Sequence, residues 1–147
     1  KMIEICKKYK VLMKAHNTDY LSNEALNCYP RLGINAANIA PEFGVIESKK
    51  ILEIMTSLKL RSLKNSFIKL SLDSNKWKKW MIKDSKANDY EKAIISGHYV
   101  FSDKKFSGIK ESLAKALKKK GQNLDGILKK EIKKSISRYL YNFNLIK

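Results

Sequence analysis

The sequence lacks several features, and each shortage excludes a class of protein. Its two cysteines, Cys6 and Cys28, form no Cys-x-x-Cys pair and lie in no Cys/His cluster, so no zinc knuckle is indicated. No apolar run approaches the roughly 18 residues that cross a bilayer, so we expect no membrane partner. Two cysteines without a recognisable signal peptide favour a reducing compartment, and we expect a cytoplasmic protein.

Arginine is also scarce, although the chain is strongly basic. Only 3 Arg accompany 28 Lys, and the formal net charge is +17. Residues 101–147 carry 13 Lys and Arg against 4 Asp and Glu. Arginine is the usual bidentate reader of phosphates and base edges, and no nucleic-acid motif accompanies the charge. A basic nucleic-acid-binding module is therefore an alternative, but nucleic acid is not the partner that the sequence favours.

Two short apolar runs predict strands. Residues 9–15 and 34–40 suit strands, and each precedes a helical pattern, at 22–29 with Ser22 as N-cap and at 46–58. Strands joined by a helical crossover are parallel and normally belong to larger sheets. Because the chain opens at Lys1 within a run that has no helix-start signal, we expect it to be a piece of a longer protein.

The remainder of the chain, after residue 60, is mainly helical in pattern. Amphipathic stretches over 106–120 and 124–143 have apolar residues at helical spacing. Trp77 and Trp80 share a helical face and are expected in the core. His98 lies in an apolar run, which favours a packed helix junction over a catalytic role.

Chemistry-bearing residues cluster directly after the two predicted strands. His16 can ligate a metal or transfer a proton near neutral pH, while Asn17, Thr18 and Asp19 offer donors and acceptors to a phosphate or a sugar hydroxyl. Asn38 follows the second strand and would lie near the same ligand. The alternative is a structural turn in which these side chains bond to nearby backbone.

The segment resembles class II sugar-phosphate aldolases. That family has a His-Gly-x-Ser-Gly loop followed by a Gly-Ile-x-Lys-x-Asn-Val-x-Thr-Glu strand. Here His16 matches the loop histidine, and Gly33-Ile34 and Asn38-Ile39 match the strand. The departures from the family pattern include Asn17, Asp19, Ala36 and Pro41.

A closer resemblance is to the GatZ/KbaZ-like family, the non-catalytic subunit of tagatose-bisphosphate aldolase. Its Ala-His-Ser-Thr-Asp-Tyr loop differs from residues 15–20 only at Asn17, and Ala40-Pro41 matches the turn that ends its next strand. The resemblance covers about residues 10–58. It implies an α/β fold: the last two strand-helix units of a (β/α)8 TIM barrel over residues 1–58, then a mainly α-helical C-terminal region over 59–147.

The same resemblance implies a function in carbohydrate metabolism. His16 would be a metal ligand, with zinc the expected divalent metal and the other ligands outside this chain. A ketose phosphate would contact Asn17, Thr18, Asp19, Asn38, Ala40 and Pro41. The expected partner is a class II aldolase catalytic subunit; the alternative is a stand-alone keto-sugar-phosphate C4 epimerase or aldolase. No residue of this chain is predicted to be catalytic, and the 147 residues alone are expected to be inactive.

Overall fold

The computed structural model describes residues 1–147, which are mostly helical. Seven α-helices and two strands follow one another as α1 (Met2–Lys8), β1 (Lys14–Ala15), α2 (Asn23–Leu32), β2 (Ala36–Ala37), α3 (Pro41–Ser57), α4 (Arg61–Asp73), α5 (Asp89–Ser96), α6 (Lys104–Lys118) and α7 (Leu124–Asn142). Short 3₁₀ helices occupy Lys76–Trp80 and Gly97–Val100.

The prediction of a TIM-barrel portion is wrong. The only sheet is a parallel pair of two-residue strands, with Lys14 opposite Ala36 and Ala15 opposite Ala37. The first predicted strand is short because α1 continues to Lys8 and the chain turns at Lys10, whose φ is 54°. The second covers only Ala36–Ala37, because its backbone pairs with β1 alone, and the N–H groups that donate to β1 extend no further than Asn35, to the Met13 carbonyl, and Asn38, to the Ala15 carbonyl. The chain then enters α3 at Pro41, and proline is favoured at the first position of a helix.

Contacts divide the chain into two compact units. The first contains residues 1–43 and 133–147, and the second contains residues 44–132. The domain boundary predicted at residue 58 falls in the short link between α3 and α4, and it stays a prediction.

The first unit holds the sheet and α2. Ser22 caps α2 as predicted, because its hydroxyl accepts a hydrogen bond from the Ala25 N–H at 3.2 Å. The helix ends at Gly33, whose φ of 76° lies in the left-handed region that glycine adopts freely. Leu26 of α2 is fully buried, and the Tyr29 ring packs against Phe143 at 5.4 Å. These contacts place α2 beside the C-terminal part of α7.

The second unit has a continuous apolar core. The helical spacing predicted for α3 and α6 is confirmed, since Ile51, Leu52 and Met55 of α3 and Ile109, Leu113 and Leu117 of α6 are all buried. The core residues that join them include Phe67, Ala93, Phe106, Leu124 and Leu128. Burial of this apolar surface is what stabilises the helices here, since isolated helices of this length are marginal in water.

Candidate functional site

The loops that follow β1 and β2 meet at the carboxyl edge of the sheet. The Asn38 N–H donates to the Ala15 carbonyl at 3.0 Å, and the Thr18 N–H donates to the Asn38 carbonyl at 3.1 Å. These bonds bring three exposed polar residues, His16, Asn17 and Asn38, to one edge. The structure therefore places these predicted site residues on neighbouring loops.

Asn17 has a backbone conformation that suits its residue type. Its φ is 55°, in the left-handed region where asparagine is enriched among non-glycine residues. A β-branched residue would be strained at this position. The backbone of the turn that presents the edge therefore suits an asparagine at position 17.

Asp19 is engaged in holding the start of α3. Its Oδ1 accepts hydrogen bonds from the Ala40 N–H at 3.1 Å and the Glu42 N–H at 3.0 Å. A carboxylate at a helix N-terminus satisfies free N–H groups and complements the helix dipole. These two N–H groups are consequently unavailable to a phosphate, and Pro41, between them, has none to offer.

Thr18 is buried and is not part of the exposed edge. The residue is fully buried, and its carbonyl accepts a hydrogen bond from the Tyr139 hydroxyl at 3.4 Å. Its own hydroxyl has no hydrogen-bond partner. Among the predicted substrate contacts, Ala40 is exposed and Pro41 is half-buried.

The buried carboxylate of Glu42 binds the loop that follows β1 and the side chains of α7. Its oxygens accept hydrogen bonds from the Tyr20 N–H at 2.6 Å, from Arg138 Nη2 at 3.1 Å and from the Tyr139 hydroxyl. Ser135 Oγ is a further donor at 3.4 Å. Charge-assisted bonds of this kind are among the stronger ones in proteins, so they anchor the loop to α7.

Tyr139 and Arg138 complete this network. Burial, and then the hydrogen bond to the Glu42 carboxylate, raise the pKa of the Tyr139 phenol well above its usual value. Arg138 Nη1 also donates to the Leu21 carbonyl at 3.0 Å and to Asn23 Oδ1 at 3.2 Å. This network could not be predicted from the sequence, because Glu42 and its partners on α7 are separated by more than ninety positions. The scarcity of arginine was the one signal that could have singled out Arg138.

The exposed edge offers one imidazole and two amides. The two carboxylates nearest to it in sequence, Asp19 and Glu42, are occupied by the bonds described above. No group of three or more His, Cys, Asp or Glu side chains is close enough to hold a metal ion. The donors of this chain alone do not fit a zinc site at His16.

An apolar cavity lies elsewhere in the first unit. It has a volume of about 480 Å³ and is lined by residues of α2, β2, α7 and the segments next to them, including Tyr29, Ile34, Ala36, Tyr139, Leu140 and Phe143. None of the predicted site residues lines it. Its few polar groups do not match a sugar phosphate, since such ligands need several convergent polar contacts.

Comparison of the chain with protein-family models finds no match, and comparisons with curated proteins and with solved structures find none either. None of the helices has the length and apolar character needed to traverse a bilayer.

Proposed function

We propose that this chain is the ketose-phosphate-binding part of a carbohydrate-metabolism protein similar to the GatZ/KbaZ-like subunit of tagatose-bisphosphate aldolase. The observation that carries the proposal is the shared edge of His16, Asn17 and Asn38, which follow two paired parallel strands. The carboxyl ends of parallel strands are where open α/β sheets bind ligands. The motif resemblance over residues 15–20 and 33–44 supports the same edge.

Each edge residue has a distinct part in the proposed site. The Asn17 and Asn38 amides donate to and accept from sugar hydroxyls, and the His16 imidazole donates to a phosphate oxygen. Thr18 and Asp19 act as positioning residues, because their contacts are with Asn38, Ala40 and Glu42. The net charge of +17 raises the local concentration of phosphate esters around the chain.

The proposed role is binding in support of a catalytic partner. General acid–base chemistry needs a positioned group whose proton can move, and the carboxylates of Asp19 and Glu42 are held by structural hydrogen bonds. His16 is then the one group at the edge whose proton could move, and neither Asp19 nor Glu42 is free to pair with it. This favours a supporting subunit, with a class II aldolase as the catalytic partner, over a stand-alone epimerase or aldolase. A metal at His16 would need ligands from another chain, and no step of the proposal uses one.

Isothermal titration calorimetry of the full chain with a ketose bisphosphate measures the binding affinity and tests the proposal. Asn38→Ala and His16→Ala should each weaken binding by about 3- to 10-fold, as expected for the loss of one hydrogen bond. The matched control is Asn65→Ala, which removes an exposed asparagine of α4. Absence of binding, both alone and with a class II catalytic subunit present, would overturn the proposal.

A further inference from the structure

A second surface with its own character lies at residues 76–86, which we call the tryptophan loop. It reads Lys-Trp-Lys-Lys-Trp-Met-Ile-Lys-Asp-Ser-Lys, with five lysines against one aspartate. Two large apolar side chains are exposed on it, with Trp80 at 41% and Ile82 at 81%. The sequence placed Trp80 in the core, and that prediction is wrong.

Trp77 anchors the loop to the second unit. Its indole Nε1–H donates to the Leu72 carbonyl at 3.1 Å, and the Lys92 ammonium lies 4.8 Å from its ring centroid. Lys79 adds a contact with the Tyr99 ring at 4.5 Å. Trp80 lies three residues further along the same 3₁₀ helix and keeps a large exposed surface.

Ile82 stands at a tight turn beyond Trp80. The Ser85 N–H donates to the Ile82 carbonyl at 3.1 Å, and Asp84 has a φ of 65°. None of the five loop lysines forms an ion pair. The tip therefore combines exposed apolar side chains with cations that have no acidic partner in the chain.

We propose that the tryptophan loop is a peripheral contact for an anionic lipid bilayer. Tryptophan favours the bilayer interface, and an exposed isoleucine gains most by leaving water for the acyl boundary. Lysines near an anionic leaflet are attracted to its negative surface potential. The loop presents both features together, with Trp80 and Ile82 at the centre and lysines on either side.

The chemistry of the loop favours a bilayer over a nucleic acid. Bases are bound by stacking on aromatic faces, yet Ile82 has no such face and the Lys79 ammonium lies 5.1 Å from the Trp80 ring centroid. The loop has no arginine, the residue preferred for reading phosphates and base edges. Unpaired lysines beside apolar side chains complement headgroup phosphate and carboxylate groups above an acyl layer.

This inference is independent of ketose-phosphate binding, since it involves no residue of that edge. The expectation of no membrane partner rested on the absence of a spanning run. A surface contact of this kind needs no spanning segment.

Vesicle co-sedimentation of the full chain provides the test. Vesicles of phosphatidylcholine with about one-third phosphatidylserine should bind it and pure phosphatidylcholine should not, because the lysines need an anionic leaflet. The double variant W80S/I82N should weaken binding by about 10-fold or more, since it removes the inserting groups. Leu32→Asn, which replaces an exposed leucine outside the loop, is the control for apolar loss and should leave binding unchanged.

A charge-matched pair of variants separates the loop from general basicity. K78Q/K79Q/K83Q removes three lysines from the loop, and K118Q/K119Q/K120Q removes three exposed lysines at the end of α6. Only the first should release the chain from the vesicles. Equal release by both, or no effect of W80S/I82N, would overturn the proposal, as would tighter binding to a single-stranded oligonucleotide through the same lysines.

Tryptophan fluorescence supplies a second readout that does not depend on affinity. Addition of the anionic vesicles should shift the emission of Trp77→Phe to the blue, because Trp80 then reports insertion. The shift should be absent in Trp80→Phe. A shift that persists in Trp80→Phe contradicts the placement of Trp80 in the bilayer.

Discussion

Arg138 Nη2 lies 3.1 Å from Glu42 Oε1, and this ion pair joins residues that are 96 positions apart in the chain. The Glu42 side chain is only 9% exposed and that of Arg138 is 30% exposed, so the carboxylate is shielded from water and the guanidinium is partly open to it. Arg138 also donates to the Leu21 carbonyl. The C-terminal part of α7 thereby fixes the loop that carries the proposed ligand-binding edge.

Replacing Glu42 by glutamine should destabilise the protein strongly. The amide cannot neutralise Arg138 or accept hydrogen bonds at both terminal atoms, and losing the charged member of a partly buried, hydrogen-bonded pair costs about 2–4 kcal/mol. Urea denaturation followed by circular dichroism measures the free energy of unfolding. Glu111→Gln, at an exposed position of α6, is the control and should change little. Equal unfolding midpoints for the two variants would contradict the anchoring role of Glu42.

Asp19 should behave as a cap for α3. Asp19→Ala leaves the Ala40 and Glu42 N–H groups without their acceptor, so we expect a loss of about 0.5–2 kcal/mol, the range for helix caps. Asp19→Asn keeps an acceptor oxygen and should lose less. The same urea measurement ranks the variants, and an alanine variant as stable as the parent would show that these hydrogen bonds do not hold the helix start.

Two helical glycines should respond in opposite directions to alanine. A Cβ at Gly44 would lie 2.7 Å from His98 Cβ and Cγ, whereas a Cβ at Gly108 would meet nothing within 4 Å. Gly44→Ala should therefore cost about 1–3 kcal/mol through overpacking. Gly108→Ala should stabilise α6 by about 0.5–1 kcal/mol, because alanine loses less backbone entropy on folding. Thermal melting distinguishes them, and two shifts of the same sign would refute this packing of His98 on α3.

Stability should fall in mild acid because of His98. Burial first, and then the Lys79 cation, lower the pKa of its imidazole below the usual value, and its Nδ1 is buried without a partner. The unfolded chain therefore takes up the proton near the ordinary pKa of about 6.5, and the folded chain only at lower pH. The contribution is fully present above that pH and is lost as pH falls below it.

Unfolding free energies measured in steps from pH 8 to about pH 5, a window that spans the ordinary histidine pKa, test this linkage. His98→Gln should flatten the decline on the acid side. His16→Asn removes the other imidazole and should keep the decline, since His98 is still present. An unchanged slope in His98→Gln would assign the acid sensitivity to other groups.

Local sequence signals predicted the helices, whereas the extent of the sheet depends on long-range contacts. The Ser22 cap and the spacing of Ile109, Leu113 and Leu117 are properties of neighbouring residues, so α2 and α6 follow from the sequence. A strand needs a partner, and short apolar runs such as 9–15 do not specify how many of their residues will pair. The extent of the sheet was therefore overestimated. The prediction of a barrel, which needs longer strands, is wrong for the same reason.

Some features of the candidate site also follow from the sequence, and others depend on long-range contacts. The placement of His16 and Asn38 on neighbouring loops follows from two strands that run in parallel, which the sequence predicts. The burial of Thr18 and the occupation of Asp19 by α3 depend on how the loops fold back onto that helix. The Glu42 network depends on α7 and has no signature in any local window.

Nitrogen-15 NMR titration of the full chain with a ketose bisphosphate tests the central claim most directly. Binding at the carboxyl edge of the sheet should shift the amide resonances of His16, Asn17 and Asn38 saturably, with the side-chain amides of Asn17 and Asn38 included. Resonances of the apolar cavity and of the tryptophan loop should not move. Titration to saturating ligand with no shift at residues 16–18 and 38–40, or with shifts confined to other surfaces, would contradict the account.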